Sequence, residues 1–217
     1  MPVGQRGLFW DLQAIHAPAD VPPFVAKWGL LRSGHRDDAA RPEPWSDWEA
    51  TAQRFRLILS LNARVQQAVG GGDDAGEALQ QLDGLADAMT TGLGAERRPA
   101  DDTELVQQAT GFVARAVDLG LEDVRTGLAA AFEWGLGSDG APGNAGTYVL
   151  TAHPADLVGH AYHELALHLA NRVPTRICPE CGIVFPVGHR RQKYCTEECG
   201  ARARYRRWQE RQKETER

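Results

Sequence analysis

All four cysteines of the 217-residue chain fall within its last forty residues, as Cys178-Pro-Glu-Cys181-Gly182 and Cys195-Thr-Glu-Glu-Cys199-Gly200. Two cysteines two residues apart on a tight turn can point at one cation. A glycine after the second lets that turn take a positive φ and leaves backbone amides free to hydrogen-bond the thiolates. The wider spacing of the second pair suits a strand ending at Cys195 and a first helical turn that holds Cys199. Thr196 is then the N-cap, and Glu197 and Glu198 sit at the positive end of the helix dipole. Ile183-Val184-Phe185 and Lys193-Tyr194 read as the short strands of a hairpin turning through Pro186 to Gly188. Knuckle, hairpin and helix together predict a treble-clef-like site in which Cys178, Cys181, Cys195 and Cys199 hold one structural Zn2+. Four thiolates in tetrahedral geometry select zinc over harder cations. They leave no open coordination position, which makes the site structural rather than catalytic. Unrelated buried thiols and an iron-sulfur cluster are the other readings of the same four residues.

The charge divides at the same place. The whole chain carries 24 Lys+Arg against 29 Asp+Glu, a net charge of -5 that by itself argues against nucleic acid. Residues 172–217 carry 12 Lys+Arg and 6 Asp+Glu, or +6, which leaves 12 against 23, or -11, for residues 1–171. An acidic body of residues 1–171 and a basic zinc finger of residues 172–217 are the two expected domains. No apolar run is long enough for a membrane span, and the N-terminus lacks the apolar stretch and cleavage site of a signal peptide. The chain reads as cytoplasmic, where thiols stay reduced and four clustered cysteines serve a metal better than disulfides.

The body reads as mainly α with few short strands. Residues 1–45, punctuated by prolines, suggest loops with short elements. A helix is expected from Ser46 to about Val69, opened by a capping box of Ser46 with Glu49 and carrying an apolar stripe through Trp48, Phe55, Ile58 and Leu59. A second is expected over residues 75–91 with Leu79, Leu82, Leu85, Ala86 and Met89 on one side. Two more are expected over 103–118 and 122–134. Gly135 to Gly146 reads as a surface loop, Thr147 to Ala152 as the one good strand, and a helix is expected from Pro154 at its N1 position to about Asn171. His160, His163, Glu164 and His168 share that last helix, but a zinc-protease spacing would need histidine at position 167, which is Leu167. With no nucleophile elbow or phosphate-cradling loop either, the chain is not expected to be an enzyme. A pocket gathering His153, His160, His163 and Glu164 around a second metal would reverse that reading.

The run Cys-x2-Cys-Gly, a Phe four residues after the second cysteine, an Arg-rich stretch, Tyr-Cys-x3-Cys-Gly-x-Arg and a basic helix resembles the CGNR-type zinc finger over about residues 176 to 211. The signature stands here as Cys199-Gly200-Ala201-Arg202, with Ala201 at the family's asparagine. The resemblance implies a bacterial, stress-related transcriptional regulator with a mainly helical N-terminal domain. Beyond Cys199 the chain continues as a helix on which Arg202, Arg206 and Lys213 gather on one side at 100° per residue. With Arg190, Arg191 and Lys193 nearby, and Arg204, Arg207 and Arg211 on the same helix, they form a candidate phosphate-binding surface for DNA. Tyr205 and Trp208 read as packing residues, and His189 as lying near a phosphate or in solvent. The body would sense an unidentified small molecule or form a homodimer. The alternative function is a structural zinc module making protein-protein or intramolecular contacts, its arginines paired with the acidic body.

Overall fold

The computed structural model describes residues 7–31, 43–70, 75–93, 97–122, 124–136, 142–189 and 191–215. The fold is mainly helical, as expected. Short helices α1 (Leu8–Gln13) and α2 (Val21–Trp28) precede the long α3 (Trp45–Gly70), then α4 (Ala75–Asp83), α5 (Ala86–Leu93) and α6 (Asp102–Gly120). A hairpin of β1 (Val124–Leu136) and β2 (Pro142–Pro154) leads to α7 (Leu157–Ala170), the short strands β3 (Thr175–Ile177) and β4 (Val184–Pro186), and the C-terminal α8 (Glu197–Thr215). Among the described residues no helix is long and apolar enough to cross a membrane.

The core gathers on α3, whose Trp48, Ala52, Phe55, Ile58, Leu59, Leu61 and Ala63 are buried. Leu8 and Leu12 of α1, Leu82 of α4, Met89 of α5, and Tyr162 and Leu165 of α7 close around them. Phe24 of α2 meets Trp48 edge-on at 5.4 Å between ring centroids. Residues 7–31, the described part of the proline-punctuated segment before α3, thus contribute short helices to the core. Asp11 fixes it by accepting from Lys27 Nζ at 2.6 Å and Trp28 Nε1 at 2.8 Å. Arg56 of α3 donates to the carbonyls of Gln13 and Ile15 at 3.2 and 2.6 Å, groups that the end of α1 leaves unpaired.

Several expected elements are corrected. Helix α3 already includes Trp45 and Ser46, so Ser46 lies inside the first turn and is not the cap. The second helix is two, α4 and α5, broken at Gly84 and Leu85, although the expected face is retained, with Leu82, Ala86 and Met89 buried. Helix α7 begins at Leu157, capped by Asp156, whose side chain accepts from the Gly159 amide at 2.8 Å; Pro154 instead ends β2. The largest correction concerns 122–134, expected as a helix. Residues 124–134 of it are instead in β1, paired antiparallel with β2 from Val124 opposite Pro154 to Leu136 opposite Pro142. The segment expected as a loop, Gly135 to Gly146, supplies strand ends on both sides, and its residues 137–141 lie outside the described residues. A strand alone leaves its N–H and C=O groups unpaired, so the β-forming run Thr147 to Ala152 recruits its neighbour in sequence, overriding the helix propensity of Ala129-Ala130-Ala131.

His168 of α7 packs against the adjoining rings of Phe9 and Trp10, at centroid distances of 5.4 and 5.2 Å. Burial pushes its pKa down from 6.5 to about 4. The folded protein thus takes up the proton later than the unfolded chain as pH falls. Its contribution to stability is whole above about pH 6.5 and is lost between there and about pH 4, a decline on the order of 2 kcal/mol. His168→Phe, which keeps an aromatic ring at the position, should flatten this part of the stability profile. Urea unfolding of both proteins at pH 7.5 and 4.5 tests this, and equal declines would remove His168 as the cause.

Candidate metal centre and basic helix

The chain enters the finger through two side chains of the body. Gln66 of α3 accepts from the amide and hydroxyl of Thr175 at 2.9 and 3.2 Å and donates to the Val173 carbonyl at 3.3 Å. Gln13 of α1, itself buried, donates to the Val184 carbonyl at 2.7 Å. Val184 is 2% exposed and belongs to the body's core. The seating of β3 and β4 thus leaves no buried polar group of these strands' anchor points unmatched at Thr175 and Val184.

Strands β3 and β4 pair antiparallel with Thr175 opposite Pro186 and Ile177 opposite Val184. This corrects the expected hairpin. Val184 and Phe185 are in a strand, but their partner is Thr175–Ile177, so the hairpin encloses the first cysteine pair; Lys193 and Tyr194 are not in a strand. Between the strands the chain turns tightly, with Gly182 N donating to Cys178 O at 2.8 Å and Cys178 N to Ile183 O at 2.9 Å. Gly182 has φ +71°, the left-handed region that the motif demands of the residue after Cys181. On the other side, Thr196 caps α8 as expected, its hydroxyl accepting from Cys199 N at 3.3 Å.

These turns bring the four sulfurs together. All lie within 4.8 Å of one another, and the cluster could hold a metal ion. Cys181 and Cys195 Sγ are 3.5 Å apart, and Cys195 and Cys199 Sγ 3.6 Å. A tetrahedron with zinc-sulfur bonds of about 2.3 Å has sulfur-sulfur edges of about 3.8 Å. The donor set and spacing therefore fit zinc. Cys178 and Cys199 are buried and, with Phe185, form a small core that Tyr194 and Cys195 flank. The Phe expected four residues after Cys181 is thus the finger's main apolar side chain.

The thiols differ in acidity. Burial opposes ionisation of Cys178, yet the backbone amides of Cys195, Glu180 and Cys181 outweigh it and bring its pKa down to about 7. Burial and the neighbouring thiols push Cys195 well up, and burial raises Cys181. The Cys178 thiolate forms readily, and a bound cation would be needed to draw the protons from Cys181 and Cys195.

The basic helix α8 is present and exposed over almost its full length, apart from Cys199, Gly200 and Ala203. Its arginines are placed unequally. Arg202 donates to Cys199 Sγ at 3.2 Å, a position that offsets the negative charge of a thiolate centre. Arg206 pairs with Glu180 of the knuckle. Arg207 donates to Ala203 O at 3.2 Å and reaches the Tyr194 hydroxyl at 3.4 Å. Arg204 and Arg211 are exposed, as are Arg191 and Lys193; Arg190 lies outside the described residues. Tyr205 and Trp208, expected to pack on the module or the body, are instead 59% and 49% exposed and stack on each other at 5.8 Å between centroids. Among the described residues neither ring belongs to an apolar core cluster.

His160 lies 3.5 Å from Glu164 Oε1, as i, i+4 spacing allows, and His189 is exposed at the finger's surface. Among the described residues the four cysteines are the group of His, Cys, Asp and Glu gathered closely enough to share an ion, so His153, His160, His163 and Glu164 do not gather around a second. Glu180, Gln13 and Gln66 went unmarked in the sequence reading. Glu180 sits within the knuckle motif and could have been noticed as the finger's one acidic residue before Cys195; the two glutamines carry no sequence signal. No family model matches the chain, and neither does any curated protein.

Proposed function

We propose that the chain is a zinc-binding regulatory protein of the kind its finger resembles, contacting DNA through α8 and the adjoining cations while the body senses a ligand or dimerises. Its role is binding rather than catalysis. The observation that carries this reading is where the α8 arginines go. Arg202, Arg206 and Arg207 bond to groups of the finger and the helix itself, and among the described residues none is held by an Asp or Glu of residues 1–171. Among the described residues these three arginines are thus engaged within the finger and not by the acidic body, and the exposed Tyr205 and Trp208 add planar surface beside them. Engagement of Arg202 and Arg206 inside the finger favours a second reading, a zinc module whose helix docks a protein.

One titration separates them. With duplex DNA, affinity should fall steeply between 50 and 200 mM salt as counterions are released. Arg204→Gln combined with Lys193→Gln should weaken binding about tenfold or more and reduce the salt slope by roughly 1 per cation removed, while leaving the zinc centre intact. Absence of salt-dependent binding, or affinity indifferent to both substitutions, decides for the second reading.

A further inference from the structure

The finger and the body enclose a cleft of about 1130 Å³ between α3, α4, β3 and the loop before Cys195. Four cations line it: Arg64 from α3, Arg176 from β3, and Arg191 and Lys193 from the loop. None of the four makes an ion pair among the described residues. Among the described residues the one lining carboxylate, Glu77, accepts from Gln81 Nε2 at 2.9 Å and keeps its charge, so the cleft faces its ligand with four cations against one anion.

The two arginines are set into the cleft walls. Arg64 donates through Nε to Gln81 Oε1 at 2.8 Å and through one terminal nitrogen to Ser60 Oγ, which fixes its plane. Arg176 donates to the Gln192 carbonyl at 2.9 Å. A guanidinium has five N–H groups, so each keeps donors beyond these bonds. Arg64 is also partly desolvated, and burial lowers its pKa, the mark of a cation without a carboxylate to compensate it. Ile177, Pro179 and Ala78 supply apolar wall between the charges. Fixed guanidinium forks flanked by apolar surface suit a compact polyanion, because the forks match phosphate oxygens two at a time.

We infer that this cleft binds a small molecule carrying two or more phosphate groups, of nucleotide size, held jointly by the body's Arg64 and the finger's Arg176. The inference does not depend on DNA binding by α8. Arg191 and Lys193 lie on both surfaces, however, so the phosphate of a duplex is the competing source, and the test must separate the two.

The test is calorimetric titration of the zinc-loaded full-length protein with pyrophosphate and with ADP in the absence of DNA, at 50 and 200 mM salt. Saturable one-to-one binding is expected with at least one of the two. Arg64→Gln and Arg176→Gln should each weaken it at least tenfold, with zinc content and duplex affinity unchanged within twofold. Arg204→Gln, on α8 outside the cleft, should leave it unchanged. If either cleft variant unfolds, as its zinc content and circular dichroism would show, Arg191→Gln carries the same pyrophosphate arm from an exposed position. Non-saturating binding, equal weakening by Arg204→Gln, or cleft variants that weaken duplex binding but not pyrophosphate binding would overturn the inference.

Discussion

Replacing Cys199 with serine should abolish stoichiometric zinc binding and release α8 from the knuckle, while the helical body stays folded. The finger's own core cluster is three buried residues, Cys178, Phe185 and Cys199, two of which belong to the cysteine group that could hold a metal ion. So little apolar surface cannot hold the ordered chain, and the metal must supply the difference, about 10 to 16 kcal/mol in comparable peptides. Serine at 199 also removes the sulfur to which Arg202 donates. The same loss should follow chelation, and more readily in acid, since metal binding needs deprotonated sulfurs and protons compete for them. Metal analysis and amide exchange over residues 175–215 provide the measurement. Full zinc content, or α8 amides as protected in C199S as in the parent, would show that the cysteines do not organise the finger.

Gly120→Ala should cost about 3 kcal/mol, at the upper end of what one added methyl does to a packed interior. Gly120 is the last residue of α6, and a Cβ there would fall 2.4 Å from three ring atoms of Tyr162. The ring has little room to retreat. Tyr162 is 1% exposed and packs against Phe55 at 4.7 Å between centroids, so one small residue lets α6, α7 and α3 meet. The backbone at Gly120 is not in the left-handed region, and alanine there would otherwise favour the helix. Any loss therefore reports the close approach. Adding Tyr162→Leu should recover part of it, giving a non-additive cycle. Thermal or urea unfolding reads it out, and a Gly120→Ala protein as stable as the parent would mean that the α6–α7 contact is looser than 2.4 Å implies.

How legible the molecule is from its sequence depends on how local the deciding physics is. Cys178, Cys181, Cys195 and Cys199, Gly182 with its positive φ, and Thr196 at the head of α8 were readable because each is fixed by chemistry within a few residues. Helix α3 was readable from Trp48, Phe55, Ile58 and Leu59, which repeat along one face. Strand β1 was not, since its state depends on a partner more than ten residues away, and Ala129 to Ala131 point locally to a helix. The pairing of β3 with β4 was missed for a related reason: Thr175 to Ile177 is too short to show alternation, and Lys193-Tyr194 offered an equally good partner. Gln13, Gln66 and Arg64 were invisible as functional side chains because only tertiary placement gives them anything to hold.

The two glutamines that seat β3 and β4 also settle how force passes through the molecule. Cys178 and Cys181 lie on a turn between strands bonded to α1 and α3, whereas Cys195 and Cys199 belong to the start of α8. A metal held by the four cysteines would thus be a rivet joining the strands seated on the body to the arm that begins at α8. With the rivet in place, a pull on α8 is borne by the body's core. Without it, the Arg206–Glu180 pair and the bond from Arg176 to the Gln192 carbonyl would be left to tie the arm to the strands.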